Sequence, residues 1–134
     1  MTKTPHDRPQ YGVLVIHREQ VIGEIIVEIL LAAGYECRGA WQEPDISRML
    51  DSVDRCDVLF LHIRALEDYP ELEAKTVLRR ARQPKIVLTA ARPRSAIPKQ
   101  LLDRADVYLA VPFDPEQLVS VIQDMVNRHG SPSS

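Results

Sequence analysis

Short unbroken apolar runs alternate along this chain with segments in which apolar residues recur every three or four positions. The first run, Val13-Leu14-Val15-Ile16, has the pattern of a strand covered on both faces and ends near His17. From there Val21, Ile22, Ile25, Ile26, Ile29 and Leu30 follow helical spacing as one buried stripe, until Gly34 offers a left-handed stop. Tyr35 to Trp41 reads as a short, exposed second strand, and Ile46, Met49, Leu50 and Val53 restore helical spacing behind Pro44-Asp45. Asp57 to His62 repeats the buried-strand pattern and is followed by a looser helix near Pro70 to Arg80, with Leu72, Val77 and Leu78. Lys85 to Ala90 is a fourth strand, Ile97 to Arg104 with Pro98 a fourth helix, and Asp106 to Val111 a fifth strand. The last helix has the clearest start, since Asp114 can cap, Pro115 suits the first helical position and Gln117 can complete a capping box. Leu118, Val121, Ile122 and Met125 form its stripe, and Gly130 is its expected end.

Strands that alternate with helices and are themselves nearly all apolar predict an α/β fold: a doubly wound, five-stranded parallel sheet in a three-layer α/β/α sandwich. Sites in such sheets lie at the carboxyl ends of the strands, here His17, Arg18, Glu19, His62, Ile63, Arg64, Thr89, Ala90 and Val111. A length of 134 residues fits one domain, expected over 11–129, between a flexible N-terminal tail at 1–10 and a C-terminal tail at 130–134. With 45% hydrophobic and 27% charged residues the chain can bury a core, and its net charge of -2 lacks the positive field of a duplex-binding module, so nucleic acid is not an expected partner. The runs Arg79-Arg80-Ala81-Arg82 and Arg92/Arg94 read as solvated helix ends, and Trp41 and Tyr11 as packing aromatics. Cys37 and Cys56 form no metal or disulfide pattern and read as buried small hydrophobes in a reducing compartment. No apolar run approaches the ~18 residues of a spanning helix and the start lacks a signal-peptide core, so a cytoplasmic, non-membrane protein is expected.

A set of motifs in order carries a resemblance: Val13 to Ile16 followed by His17-Arg18-Glu19, Leu30 to Glu36, Asp57 to His62, Val87-Leu88-Thr89-Ala90, and Ala105 to Leu118 with its Val111-Pro112-Phe113-Asp114-Pro115-Glu116 core. Together they resemble the receiver domain of bacterial response regulators, a CheY-like, flavodoxin-like fold, from about Tyr11 to Arg128. The resemblance implies phosphoryl transfer to an aspartate after strand three, a magnesium ion held by an acidic pair after strand one, and phosphoryl contacts from a hydroxyl on strand four and a lysine on strand five. Carried over by motif, the acidic pair falls on His17 and Arg18, the acceptor on His62, the hydroxyl on Thr89 and the lysine on Val111. Only Thr89 keeps its type; Glu19, Ala90, Pro112, Phe113 and Tyr108, which with Thr89 occupies the switch positions, also match.

Magnesium wants hard carboxylate oxygens in an octahedral shell, and this pocket offers at most Glu19, so no magnesium, and no other metal or cofactor, is expected. A His17/His62 metal site would have only Glu19 as a third ligand. Without metal and lysine nothing neutralises a transferred phosphoryl group, and Asp54 and Asp57 precede or begin strand three at the wrong end of the sheet. The expectation is therefore a non-enzymatic pseudo-receiver that signals by protein-protein contact without aspartyl phosphorylation. The alternative is an anion- or small-molecule-binding regulatory domain using a cationic pocket of His17, Arg18 and His62 helped by Arg64, Arg92 and Arg94, and a third reading is residual phosphotransfer through His62. Lys99, Asp103, Arg104, Asp106, Asp124 and Arg128 place both charge signs on helix four, strand five and helix five, where a homodimer with cross-subunit pairs is expected.

Overall fold

The structure, a computed structural model, describes residues 12–50, 56–68 and 84–130. Five strands, β1 (Gly12–Ile16), β2 (Glu36–Ala40), β3 (Val58–His62), β4 (Lys85–Ala90) and β5 (Val107–Ala110), form one sheet in the order β2-β1-β3-β4-β5, every pair parallel. The chain runs outward from β1 to β2 and returns to β3, so the order reverses between β1 and β3, and the crevice of such a fold opens at their carboxyl ends.

Alternate residues of each strand feed two separate apolar cores. Val13, Val15, Val58, Phe60 and Val87 pack under α1 (Gln20–Ala32) and α5 (Pro115–Gly130), whose Leu30, Leu118 and Ile122 are fully buried. Leu14, Ile16, Leu59, Leu61 and Leu88 face α2 (Glu43–Leu50), α3 (Ile63–Asp68) and α4 (Lys99–Arg104). Strands buried on both sides have no polar face to show, which is why their sequences read as unbroken apolar runs. The three-layer doubly wound architecture is the one the alternation predicts.

Several elements differ from expectation. The buried stripe of α1 is Gly23, Ile26 and Leu30, while Val21, Ile22 and Ile25 stand 70%, 44% and 52% exposed. The Trp41 indole fills the space between α1 and β2: a Cβ on Gly23 would lie 2.2 Å from it, and one on Gly39 2.3 Å. Only a glycine lets α1 approach that ring, and the helix is oriented accordingly. Helix three begins at once after β3, so Ile63 and Arg64 form its first turn rather than a loop; the predicted helix at Pro70 to Arg80, Val53, Tyr11, Arg79 to Arg82, the N-terminal tail at 1–10 and residues 131–134 of the C-terminal tail lie outside the described residues.

Helix four is shorter than predicted because Pro98 biases the preceding residue toward extended backbone. Ile97 is extended and buried, a 3-10 turn spans Arg94–Ala96, and the α-helix starts at Lys99. Strand five is likewise trimmed to Val107–Ala110, and α5 runs through Gly130, which the sequence reading makes its stop. Its start follows the prediction: Gln117 N–H donates to Asp114 Oδ1 at 2.8 Å and Asp114 N–H to Gln117 Oε1 at 3.0 Å, the reciprocal capping box. Gly34 takes the positive φ, 100°, expected after α1. Cys37 and Cys56 are buried free thiols, and burial pushes Cys37 up to about 12. Among the described residues no helix is long and apolar enough to cross a membrane.

Candidate functional site

The carboxyl end of β1 hands the chain directly to His17, whose N–H donates to the Ala40 carbonyl at 3.2 Å and whose side chain is only 4% exposed. His62 closes β3 in register with Thr89 of β4. The two imidazoles meet with ring centroids 4.3 Å apart at 43°. Each accepts a backbone N–H at Nδ1, His17 from Glu19 at 3.0 Å and His62 from Arg64 at 3.2 Å. A neutral ring accepting at Nδ1 carries its proton on Nε2. Burial, and then the neighbouring His62, lowers His17 to about 4. Burial and then Arg64 lower His62, against an opposing pull from Glu19. Both rings are therefore neutral near pH 7.

The predicted cationic pocket is not assembled as such. Arg18 donates from Nε to Asp68 Oδ2 at 2.6 Å, and Arg92 from Nη2 to Glu67 Oε1 at 2.8 Å. Each arginine holds its partner below the usual carboxylate range, chiefly through that hydrogen bond. Arg64 lines the cavity, whereas Arg92 and Arg94 do not. Asp68, which pairs with Arg18 at the cavity, and Glu67, which pairs with Arg92 outside its lining, are missed by sequence reasoning because the segment carrying them reads as a loop.

His17, Arg18, Glu19, His62, Thr89 and Val111 all line one cavity of about 590 Å³, so the structure brings the six predicted pocket residues together. Val111, 38% exposed at the lysine position, bonds through its N–H to the Ala90 carbonyl at 3.0 Å. The buried Thr89 hydroxyl donates to the Leu109 carbonyl at 2.7 Å. Tyr108 packs on the α4 side with its hydroxyl against the carbonyls of Ala90, at 3.3 Å, and Arg92. By strand alternation Thr89 and Tyr108 lie on opposite sheet faces, each tied to the backbone of the adjacent strand or the loop beyond it.

A magnesium ion does not fit this donor set, in which two neutral imidazoles and a guanidinium stand beside two carboxylates, Glu19 and Asp68, the second of them engaged by Arg18. Among the described residues no group of three or more histidine, cysteine or acidic side chains could hold a metal.

On the predicted interaction edge, α4 and α5 lie on opposite faces and flank the edge strand β5. Lys99 and Asp103 pair within α4 at 3.2 Å. Asp106 is occupied at the opposite end of the sheet from the cavity: its Oδ2 accepts the Ile86 N–H at 2.7 Å, and its own N–H donates to the Ile86 carbonyl at 2.8 Å. Asp57 ties the start of β3 to Gly12 in the same way, at 2.8 and 2.9 Å, far from the strand ends, as its position in the sequence requires. Arg104 belongs to α4, and Asp124 and Arg128 to α5.

No protein-family model and no curated protein sequence matches the chain. Solved structures do. A response regulator signal receiver domain from Bermanella marisrubri is 22% identical with a TM-score of 0.70, covering 87% of this chain and 98% of that one. A response regulator receiver protein from Burkholderia phymatum is 15% identical with a TM-score of 0.71, covering 88% and 96%. An orphan response regulator of H. pylori is 20% identical with a TM-score of 0.65, covering 87% and 96%. The chain has the CheY-like receiver fold.

Proposed function

We propose that this chain is a cytoplasmic, non-enzymatic pseudo-receiver of the response-regulator type that signals through protein-protein contact without aspartyl phosphorylation. The observation that carries this reading is the neutral pair of a buried His17 and a half-buried His62 standing where the resemblance requires carboxylates. Neither ring can offer a dication hard anionic oxygens, and Val111 in the lysine position has no charge to place on a phosphoryl group. His62 is a poor acceptor in its own right, with Nδ1 held by the Arg64 N–H and Nε2 protonated.

Signalling then rests on surfaces. The β5 edge flanked by α4 and α5 is one candidate for a protein partner or a second copy, though the internal Lys99–Asp103 pair and the engagement of Asp106 leave a homodimer to be held mainly by apolar contact. The reading is tested by incubating the purified protein with acetyl phosphate and magnesium and measuring intact mass. No phosphate adduct is expected; a single adduct mapped to any strand end overturns it.

A further inference from the structure

One wall of the cavity at the strand ends is aliphatic. Ile22 and Ile25 of α1 line it while remaining about half exposed, and Val111, Pro112 and Phe113 line it as well. Exposed aliphatic side chains gathered around a concavity, rather than scattered singly, mark a surface made to be covered. His17, only 4% exposed, lines the same cavity. Its Nδ1 is filled by the Glu19 N–H, so its proton sits on Nε2, and that donor has no hydrogen-bond acceptor among the described residues. Buried donors are nearly always paired, and an orphan at the lining of a cavity points to an acceptor supplied from outside.

We propose that this cavity is a binding site for an uncharged, largely apolar small molecule whose carbonyl-type oxygen accepts a hydrogen bond from His17 Nε2. A volume of about 590 Å³ lies within the range of small-ligand pockets. The charge of the ligand follows from the surrounding pairs. Arg18 is satisfied by Asp68, the imidazoles are neutral, and the other charged side chains at the lining, Arg64 and Glu19, are opposite in sign, so a buried anion would find hydrogen-bond donors but little net positive charge. A carbonyl asks only for the donor that is present. An apolar body laid on Ile22 and Ile25 removes their surface from water, which is the main source of affinity in such sites.

The inference concerns the same strand ends as the signalling reading, but it fails separately: a chain that takes no phosphate and also ignores the probes below keeps the first and loses the second. The test titrates the intact chain with benzophenone and with diphenylmethane, which has nearly the same shape and no carbonyl, while following backbone amide and imidazole N–H signals by NMR. Benzophenone is expected to saturate, to move the amides of α1 and of the loop from Val111 to Asp114 together with the His17 Nε2–H, and to bind about five- to tenfold more tightly than diphenylmethane. Ile25→Glu, at a half-exposed position, is expected to weaken both probes by roughly tenfold with an unchanged melting curve. His17→Phe is expected to abolish the preference for the ketone. Absence of saturation by either probe, shifts confined to another surface, or equal affinities for the two probes would each overturn the proposal.

Discussion

Protonating His17 would place a charge in a nearly dry site beside a second imidazole, and its pKa accordingly falls from 6.5 to about 4 on folding. Between those two values the unfolded chain binds the extra proton and the folded one does not, so stability rises with pH there. The contribution is complete above pH 6.5 and is lost as pH falls toward about 4, on the order of 3 kcal/mol in all. His62, lowered in the same direction, steepens the slope. Urea unfolding midpoints measured from about pH 7.5 down to about pH 4.5 are expected to fall, and His17→Phe to flatten most of that fall. A wild-type midpoint that stays level across the range would contradict a buried, neutral His17. Asp106 carries a second residue-scale prediction, because its carboxylate is the acceptor for the Ile86 N–H at the start of β4. Asp106→Ala is expected to cost about 1–2 kcal/mol in denaturant unfolding, with Lys85, 4.0 Å away and partly exposed, contributing little of it. Asp57-Val58 and Asp106-Val107 repeat the same dipeptide at the start of two strands, a pattern visible in the sequence. What it does is not, because the bond partner of each aspartate lies on a neighbouring strand and depends on strand order.

Elements are legible in the sequence to the degree that burial and periodicity agree. β1, β3 and β4 are buried on both faces, and their apolar runs admit one reading. In α1 apolar residues occur on nearly every side, so periodicity alone cannot choose the buried stripe; the choice is made by Trp41, which requires a glycine opposite it. α3 follows β3 with no loop between them, and no turn residue in the sequence marks its start. Gly23→Ala separates local preference from packing. Helix propensity alone favours alanine by about 1 kcal/mol, whereas the added Cβ must displace the indole now 2.2 Å from its position, a cost of roughly 1–3 kcal/mol. The variant is expected to be net destabilised, and in a Trp41→Leu background the penalty is expected to shrink or reverse, as a double-mutant cycle would register. An unchanged penalty in both backgrounds would mean that the indole is not what excludes a side chain at position 23.

At the scale of the whole molecule, the strand order brings together residues far apart in sequence. That His17, Arg18, Glu19, His62, Thr89 and Val111 share one cavity is legible beforehand, because a doubly wound sheet gathers its carboxyl strand ends at one crevice. The electrostatic character of the cavity is not legible. It depends on Asp68 reaching back to Arg18 across fifty positions of sequence, while Arg92, held by Glu67, stands outside the cavity lining. A list of residue types therefore suggests a cationic pocket, and the folded pairs turn it into one that is close to neutral and largely apolar.

That difference sets the outcome of restoring the receiver pattern by His17→Asp, Arg18→Asp, His62→Asp and Val111→Lys. The exchange removes the partner of Asp68 and crowds new carboxylates beside it and Glu19, two of them at positions now held by buried or half-buried rings. Like charges in one site push carboxylate pKa values up and oppose folding unless a cation intervenes, and a single lysine cannot balance them. Without magnesium the variant is expected to be less stable than the parent by on the order of 3 kcal/mol. The same carboxylates supply the hard oxygens that the parent lacks, so magnesium at about a hundred times its dissociation constant is expected to return roughly 2.7 kcal/mol by mass action. The parent's melting temperature is expected to ignore millimolar magnesium, since its donor set does not fit the ion. Paired melting curves of parent and variant with and without magnesium decide the matter. A folded variant that does not respond would mean that the strand ends have diverged in shape as well as in residue type, and a parent that does respond would mean that the cavity holds a cation through groups other than the six residues aligned with the receiver pattern.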